Sequence, residues 1–164
     1  MTLLETESVK RVENVLKKYD PSFRVIVLND TAKTAKDAAL ALKCELGAIV
    51  KSLLLKKGNG FVLCLISGDK KCSFNKLKKI TGIKDISMAN ATEVKNQTGF
   101  SIGGVSPIGL KNKLDIMIDN KLNRFVNIFA AAGHSKTIFK INFKNLVNIT
   151  SGQVAEISEW KNPI

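Results

Sequence analysis

The chain reads as an α+β domain: a mixed, largely antiparallel, curved sheet flanked by helices. Three observations predict this. The first is a hairpin at its centre, KSLLLKK (51–57), the turn Gly58-Asn59-Gly60 and FVLCLIS (61–67), two apolar runs joined by the turn chemistry that hairpins use. The second is that helical and strand patterns mingle without a βαβ repeat, which speaks against a parallel doubly wound sheet. The third is composition: hydrophobic residues make up 45% of the chain but aromatics only 6%, so Ile, Val, Leu and Ala must build the core. The 164 residues suit one domain, 1–164, with no linker, repeat or low-complexity tract.

Taken in order, Val9, Val12, Leu16 and Tyr19 recur at helical spacing in ESVKRVENVLKKYD, predicting an amphipathic first helix that Asp20-Pro21 ends. FRVIVLN (23–29) reads as a strand. In TAKTAKDAALALKCELG, Ala35, Ala38, Ala39 and Leu42 share a stripe small enough for a helix to lie close on a sheet, and Gly47 is placed to close it. After the hairpin, SFNKLKKIT predicts a short helix with Phe74, Leu77 and Ile80 inward, and NATEVKNQTG another, starting near Asn90 or Thr92. LDIMID (114–119), FVNIFAAAG (125–133) and TIFKINF (137–143) are the later strands, with a last short helix at 145–149. EWKNPI reads as a loosely held tail in which Trp160 is the side chain that docks.

The 26 Lys and Arg against 14 Asp and Glu give a net charge of +12, which favours encounter with polyanions, nucleic acid first among them. A solvated basic surface is the plainer alternative. Lys70, Lys71, Lys78, Lys79, Lys111 and Lys113 form the most evident basic face, suited to phosphate contacts on a structured RNA; too few aromatics interleave for a single-strand stacking platform. Three cysteines without a CxxC pair, and a single histidine, argue against a disulfide framework or a zinc site. Cys64, in FVLCLI, reads as a small core residue. The start MTLLETESVKR lacks the apolar core of a signal peptide, and no run approaches a membrane span. A reducing, cytoplasmic setting is the expectation, with no metal and no cofactor.

TGFSIGGVSPIG (98–109) carries the strongest functional signal. Gly103, Gly104 and Gly109 allow positive φ and close approach to the backbone, and Pro107 fixes a turn in the same loop. Exposed N–H groups near Gly104 and Val105 would suit a phosphate, a carboxylate or the oxyanion of an ester under attack. A plain glycine-rich connection is the alternative, and the segment matches neither GxGxxG nor the P-loop. Lys51 opens the apolar run IVKSLLL, where packing does not want a charge; it either presents an ammonium to a phosphate or carbonyl, or snorkels from an edge strand. His134, after Gly133, lacks a second histidine or a nearby carboxylate in sequence to make it a general base.

Order and spacing make these features specific. TAKTAKDAALALKCELGAIVKSLLL, a strand ending LISGDKK, then TGFSIGGVSPIG, IMID and AAAGHSKTIFKINFKNLVNIT together resemble the YbaK family of aminoacyl-tRNA deacylases. That family is related to the editing domain inserted in bacterial prolyl-tRNA synthetases. The resemblance runs from about Thr31 to about Ile157. It implies a small trans-acting editing enzyme that hydrolyses the ester between a wrong, small amino acid and tRNA, with tRNA(Pro) the expected substrate and a synthetase in transient complex as a further partner. Lys51 would be the essential lysine, and Gly103, Gly104 and Val105 would supply backbone groups at the reacting ester. Thr98, Phe100, Ile102, Ser106 and Pro107 from the same motif, with Ala132, Gly133 and His134 from the later one, would surround the aminoacyl group.

The chain departs from the YbaK subgroup in Ala131-Ala132-Gly133, where that subgroup has Ser-Gly-Gly, and in Ile138, where it has aspartate. These departures suit the broader group with TAxxAA at the helix start, whose small substrates include Ala, Ser, Cys and 2-aminobutyrate. Two other classes stay open at this point: a non-catalytic RNA-binding module of the same fold, and an esterase acting on small acylated metabolites.

Overall fold

The computed structural model describes residues 2–161. Helix α1 (Glu7–Tyr19) buries Val9, Val12 and Leu16 completely, each worth about 1.5–3 kcal/mol of apolar burial. Strand β1 is only Ile26–Val27, shorter than the 23–29 run suggests, because its one neighbour offers it two register partners, Ile138 and Thr137. Helix α2 (Ala35–Leu42) starts at Thr34, whose side chain accepts from the Asp37 N–H, and lays Ala38 and Ala39 on the sheet. It ends at Lys43, which takes the left-handed conformation itself (φ 55). Gly47 therefore does not close it; Gly47 lies in the following 3₁₀ turn, packed under Phe125.

The hairpin is present as β2 (Ile49–Lys57) and β3 (Gly60–Ser67), antiparallel from Val50↔Ser67 to Lys57↔Gly60. A short strand β4 (Lys70–Cys72) follows, then α3 (Phe74–Thr81), capped by Ser73. Leu77 is buried in α3, whereas Ile80, expected inward, is 43% exposed in its last turn. Strand β5 (Ile86–Met88) leads to α4 (Ala91–Thr98), which begins with a capping box between Asn90 and Glu93. The glycine segment runs on to β6 (Asp115–Asp119), β7 (Ile128–Ala131) and β8 (Thr137–Ile141). Asn142 caps α5 (Phe143–Thr150), so the 137–143 run ends two residues early. Strands β9 (Gln153–Ala155) and β10 (Ser158–Trp160) close the described chain; residues 162–164 of the expected tail lie outside the described residues.

One sheet has the order β1-β8-β7-β2-β3-β6-β9, with β5 on the free stretch of β2, and a second joins β10 to β4. Pairings β1/β8, β7/β8, β2/β3, β2/β5 and β4/β10 are antiparallel, while β2/β7, β3/β6 and β6/β9 are parallel. This is the mixed, largely antiparallel sheet that the sequence predicts. The main core lies on one face, with Val50, Leu54, Leu65, Ile118 and Phe139 against α1, α5 and Phe100. A smaller core on the other face holds Leu55, Cys64, Ile66 and Leu77.

The edge of β2 positions the site. β3 pairs with it from Val50 to Lys57, but on the other side β7 reaches only Ile49 and Val50 and β5 only Leu55 to Lys57. The strand is thus split open between them. The alternation that sends the Leu54 carbonyl to the Ala89 N–H sends the Ser52 N–H and C=O toward the same edge. Lys51 stands at the start of this opening.

Candidate active site

A cavity of about 560 Å³ fills the split. Val50, Leu54, Ala89, Val94, Val105 and Ala130 give it an apolar interior, and Lys33, Lys36, Lys51 and Lys161 also line it. Gly103, Ile102 and His134 form the wall on the side of the glycine segment. That combination, an apolar pocket with a few convergent polar groups, is the usual form of a small-ligand site. A smaller cleft of about 270 Å³ lies behind the same wall and shares Lys33, Ile102 and His134 with it.

Lys51 is half-buried, and its Nζ donates to the Lys70 carbonyl. Burial, then the neighbouring Lys161 charge, lower its pKa from the ordinary 10.5 to about 8, with Asp69 acting in the other direction. The turn beneath it is tied down by Arg124, whose two terminal nitrogens reach Asp69 at 2.7 and 3.1 Å. Partial burial pushes the Asp69 carboxyl up, but the Arg124 hydrogen bonds and charge outweigh it and hold the group below its usual value. Its stabilising contribution is therefore present above pH 4 and lost as pH falls through the depressed value. An Arg124→Gln variant is expected to lose about 1 kcal/mol of stability at pH 7, and the gap to wild type should shrink in unfolding curves taken toward pH 2.

The glycine segment is held from behind by α1. The Ser8 hydroxyl donates to the Gly133 carbonyl at 3.1 Å and Arg11 Nε to the Gly109 carbonyl at 3.1 Å. Gly103 has φ 96 and Gly133 φ 103, backbone states that side chains resist. A Cβ on Gly133 would also stand 2.9 Å from the Ser8 carbonyl oxygen. The Gly104 N–H, expected to be an exposed donor, instead bonds the Ser101 carbonyl at 3.0 Å within the turn. Along the cavity wall the N–H groups of Ile102, Gly103 and Val105 have no acceptor among the described residues, which leaves them available to a ligand.

His134 is tied into a tight turn. Its Nδ1 accepts from the Lys136 N–H at 3.0 Å, and its carbonyl accepts from Thr137 Oγ1 and the Thr137 N–H. An accepting Nδ1 carries no proton, so the neutral ring has its hydrogen on Nε2 and offers a donor rather than a base.

Several residues expected around the aminoacyl group do not line either cavity. Thr98 and Ser106 are fully buried; Thr98 accepts from the Phe100 N–H at 3.0 Å and Ser106 from the Ile108 N–H at 3.3 Å, which shapes the loop from inside. Pro107 and Ala132 are buried too, and Ala131 rather than Ala132 faces the cavity. Phe100 and Gly133 reach only the smaller cleft. Lys70, placed on the basic face by sequence, is 3% exposed and lies on the Trp160 ring, so it is not part of that face. Lys71 is exposed but paired with Glu159 at 3.4 Å, whereas Lys79, Lys111 and Lys113 are exposed. Lys33, Lys36 and Lys161 line the cavity without standing out in the sequence; only the TAKTAKD motif holds a signal, and only for the first two.

Residues 29–149 match the family model of the aminoacyl-tRNA editing domain, and the chain belongs to that family. It is an aminoacyl-tRNA editing enzyme, a hydrolase of carboxylic esters. The Bacillus subtilis protein YwhH is 29% identical over 90% of this chain and 94% of its own length. A candidate Cys-tRNA(Pro)/Cys-tRNA(Cys) deacylase, EbsC of Enterococcus faecalis, is 29% identical over 76% of this chain and 77% of its own. The proline–tRNA ligase of Thermosipho africanus matches at 29% over 95% of this chain, which spans 24% of that ligase. Among solved structures, a candidate trans-editing enzyme for prolyl-tRNA synthetase superposes with a TM-score of 0.88 at 34% identity, covering 94% of this chain and 98% of that one.

Proposed function

We propose that this chain edits in trans, removing a small noncognate amino acid from tRNA(Pro), with Lys51 and the Gly103 to Pro107 loop at the reacting ester. The observation that carries this reading is that Lys51 and the glycine loop, 52 residues apart in the sequence at Gly103, meet on one cavity. The tRNA(Pro) assignment is supported by the match to a proline–tRNA ligase and by the solved trans-editing candidate. A synthetase in transient complex would deliver the charged tRNA, in the cytoplasm where translation runs. Among the described residues no helix is long and apolar enough to cross a membrane.

The cavity is larger than a small amino acid needs, so it takes the terminal ribose with it. The amino-acid side chain enters the apolar interior, and the unpaired N–H groups of Gly103 and Val105, with His134 Nε2–H, polarise the ester carbonyl. Water oxygen bonds to the carbonyl carbon, the bond from that carbon to the ribose oxygen breaks, and the ribose leaves as an alcohol with a proton from the water. The second proton goes to solvent as the free carboxylate forms. An aminoacyl ester is already activated, so one preorganised donor worth about 10²–10³ in rate goes far.

The test is a deacylation panel: tRNA(Pro) charged with Pro, Ala, Cys, Ser or 2-aminobutyrate. Selective loss of a noncognate residue is expected, with the enzymatic rate, after subtracting spontaneous hydrolysis, falling as pH rises through about 8 because Lys51 then loses its charge. Stable esters across the panel and across other tRNAs would overturn the reading in favour of a non-catalytic RNA-binding module.

A further inference from the structure

The smaller cleft of about 270 Å³ has no part in the proposed reaction, yet it shares Lys33, Ile102 and His134 with the larger cavity. A group seated there is therefore a neighbour of one seated in the cavity. Lys95 from the last turn of α4, Ser101 from the glycine segment and Ser135 from the turn after Gly133 line this cleft and not the cavity, with Phe100 as its one aromatic. Its chemistry is one-sided. Among the described residues the lining has neither a carboxylate nor a side-chain amide, whereas Lys33 and Lys95 bring ammonium groups, Ser101 and Ser135 hydroxyls, and the N–H groups of Ser101 and Ile102 have no acceptor. The Lys95 Nζ is held only by a long contact of 3.4 Å to the Gly99 carbonyl.

Arg11 adds to this from behind. Its Nη2 is buried without a partner among the described residues and lies so close to Gly99 that a Cβ there would collide with it, and its guanidinium carbon stands 5.0 Å from the centre of the Phe100 ring. Donors left unpaired in such a wall are costly, so the cleft favours a ligand that brings acceptors. In the aminoacyl-tRNA reading, on which this inference rests, the larger cavity takes the amino acid and the terminal ribose, and the strand continues into the preceding nucleotide, a cytidine in every tRNA. The edge of an unpaired cytosine carries two adjacent acceptors, O2 and N3, and single-stranded bases are read on that edge. We propose that the smaller cleft is the subsite for this penultimate cytosine, with Lys95 and Ser101 donating to its acceptors and the Ser135 hydroxyl accepting from its exocyclic amine.

The experiment uses two short substrates with the same noncognate aminoacyl group on the terminal ribose, one built on AMP and the other on the dinucleotide CpA. Both keep the phosphate of the terminal nucleotide, so they differ only in the cytidine. The wild type is expected to favour the CpA ester by about tenfold in kcat/KM, chiefly through KM. Lys95 is exposed, so Lys95→Gln keeps the fold; it should lose about fivefold on the CpA ester and not on the AMP ester. Lys18→Gln, which removes an exposed charge from the last turn of α1, should keep the full preference. Titration with the uncharged ligands should give the same order, with UpA, whose N3 carries a hydrogen, bound more weakly than CpA. Equal rates on the two esters, a CpA preference that Lys95→Gln retains or Lys18→Gln equally loses, or equal affinity for CpA and UpA would each overturn the subsite and leave editing intact. A wild type that binds CpA over AMP through Lys95 yet cleaves no aminoacyl ester would sink the editing proposal and uphold the subsite.

Discussion

A Lys51→Met variant is expected to lose deacylation by about a hundredfold or more in kcat/KM while unfolding at the wild-type temperature or above it. The two outcomes come from the same environment. Lys51 holds its proton less tightly in the folded chain, at about 8, than its ordinary 10.5. Folding is therefore penalised at and below about pH 8, where both states carry the charge, and the penalty fades as pH rises toward 10.5. Methionine keeps the apolar stem and drops the charge, so thermal melts at pH 7 should show no loss, and any gain should disappear near pH 10.5. Removing one charged partner of a buried anion contact costs about 2–5 kcal/mol, which sets the scale of the kinetic loss. Wild-type turnover would remove Lys51 from the mechanism; a sharply lowered melting temperature would make it a structural residue.

How far the sequence could lead is seen in which residues carry the site. The hairpin β2/β3 was legible because two long apolar runs flank a glycine turn, and α1 because Val9, Val12 and Leu16 repeat at three- and four-residue spacing. Strands β4, β5, β9 and β10 have three residues each, too few for any periodicity to show. Their pairing is decided by tertiary contact alone. That is why Lys70 read as one more surface lysine: nothing in SGDKKCS announces that Trp160, 90 residues on, will lie across it. The same holds for Lys161, which reaches Lys51 only through that pairing. The glycine motif was legible in composition, but its hydrogen-bond direction was not, so the Gly104 N–H was assigned to a ligand when the turn already uses it.

Gly104→Ala should be the most damaging single methyl group in the loop. An added Cβ there would stand 2.9 Å from both the Cα and the N of His134 and 3.1 Å from the Gly133 carbonyl carbon. All three are backbone atoms, and the 133–134 turn they belong to is held by Ser8 and Thr137, so neither side yields cheaply. Overpacking of this kind costs about 1–3 kcal/mol, and relief comes only by moving Gly103 and Val105 away from His134. The N–H groups and the His134 ring that the proposed reaction uses would then be displaced from one another, and deacylation is expected to fall by about two orders of magnitude. Gly82→Ala provides the comparison. Gly82 also needs a positive φ, 71°, but nothing lies within 4 Å of the new methyl. It should cost about 1 kcal/mol of stability and leave the rate constants intact. If both variants lose stability alike and keep wild-type turnover, the close seating of Gly104 on His134 has no part in catalysis.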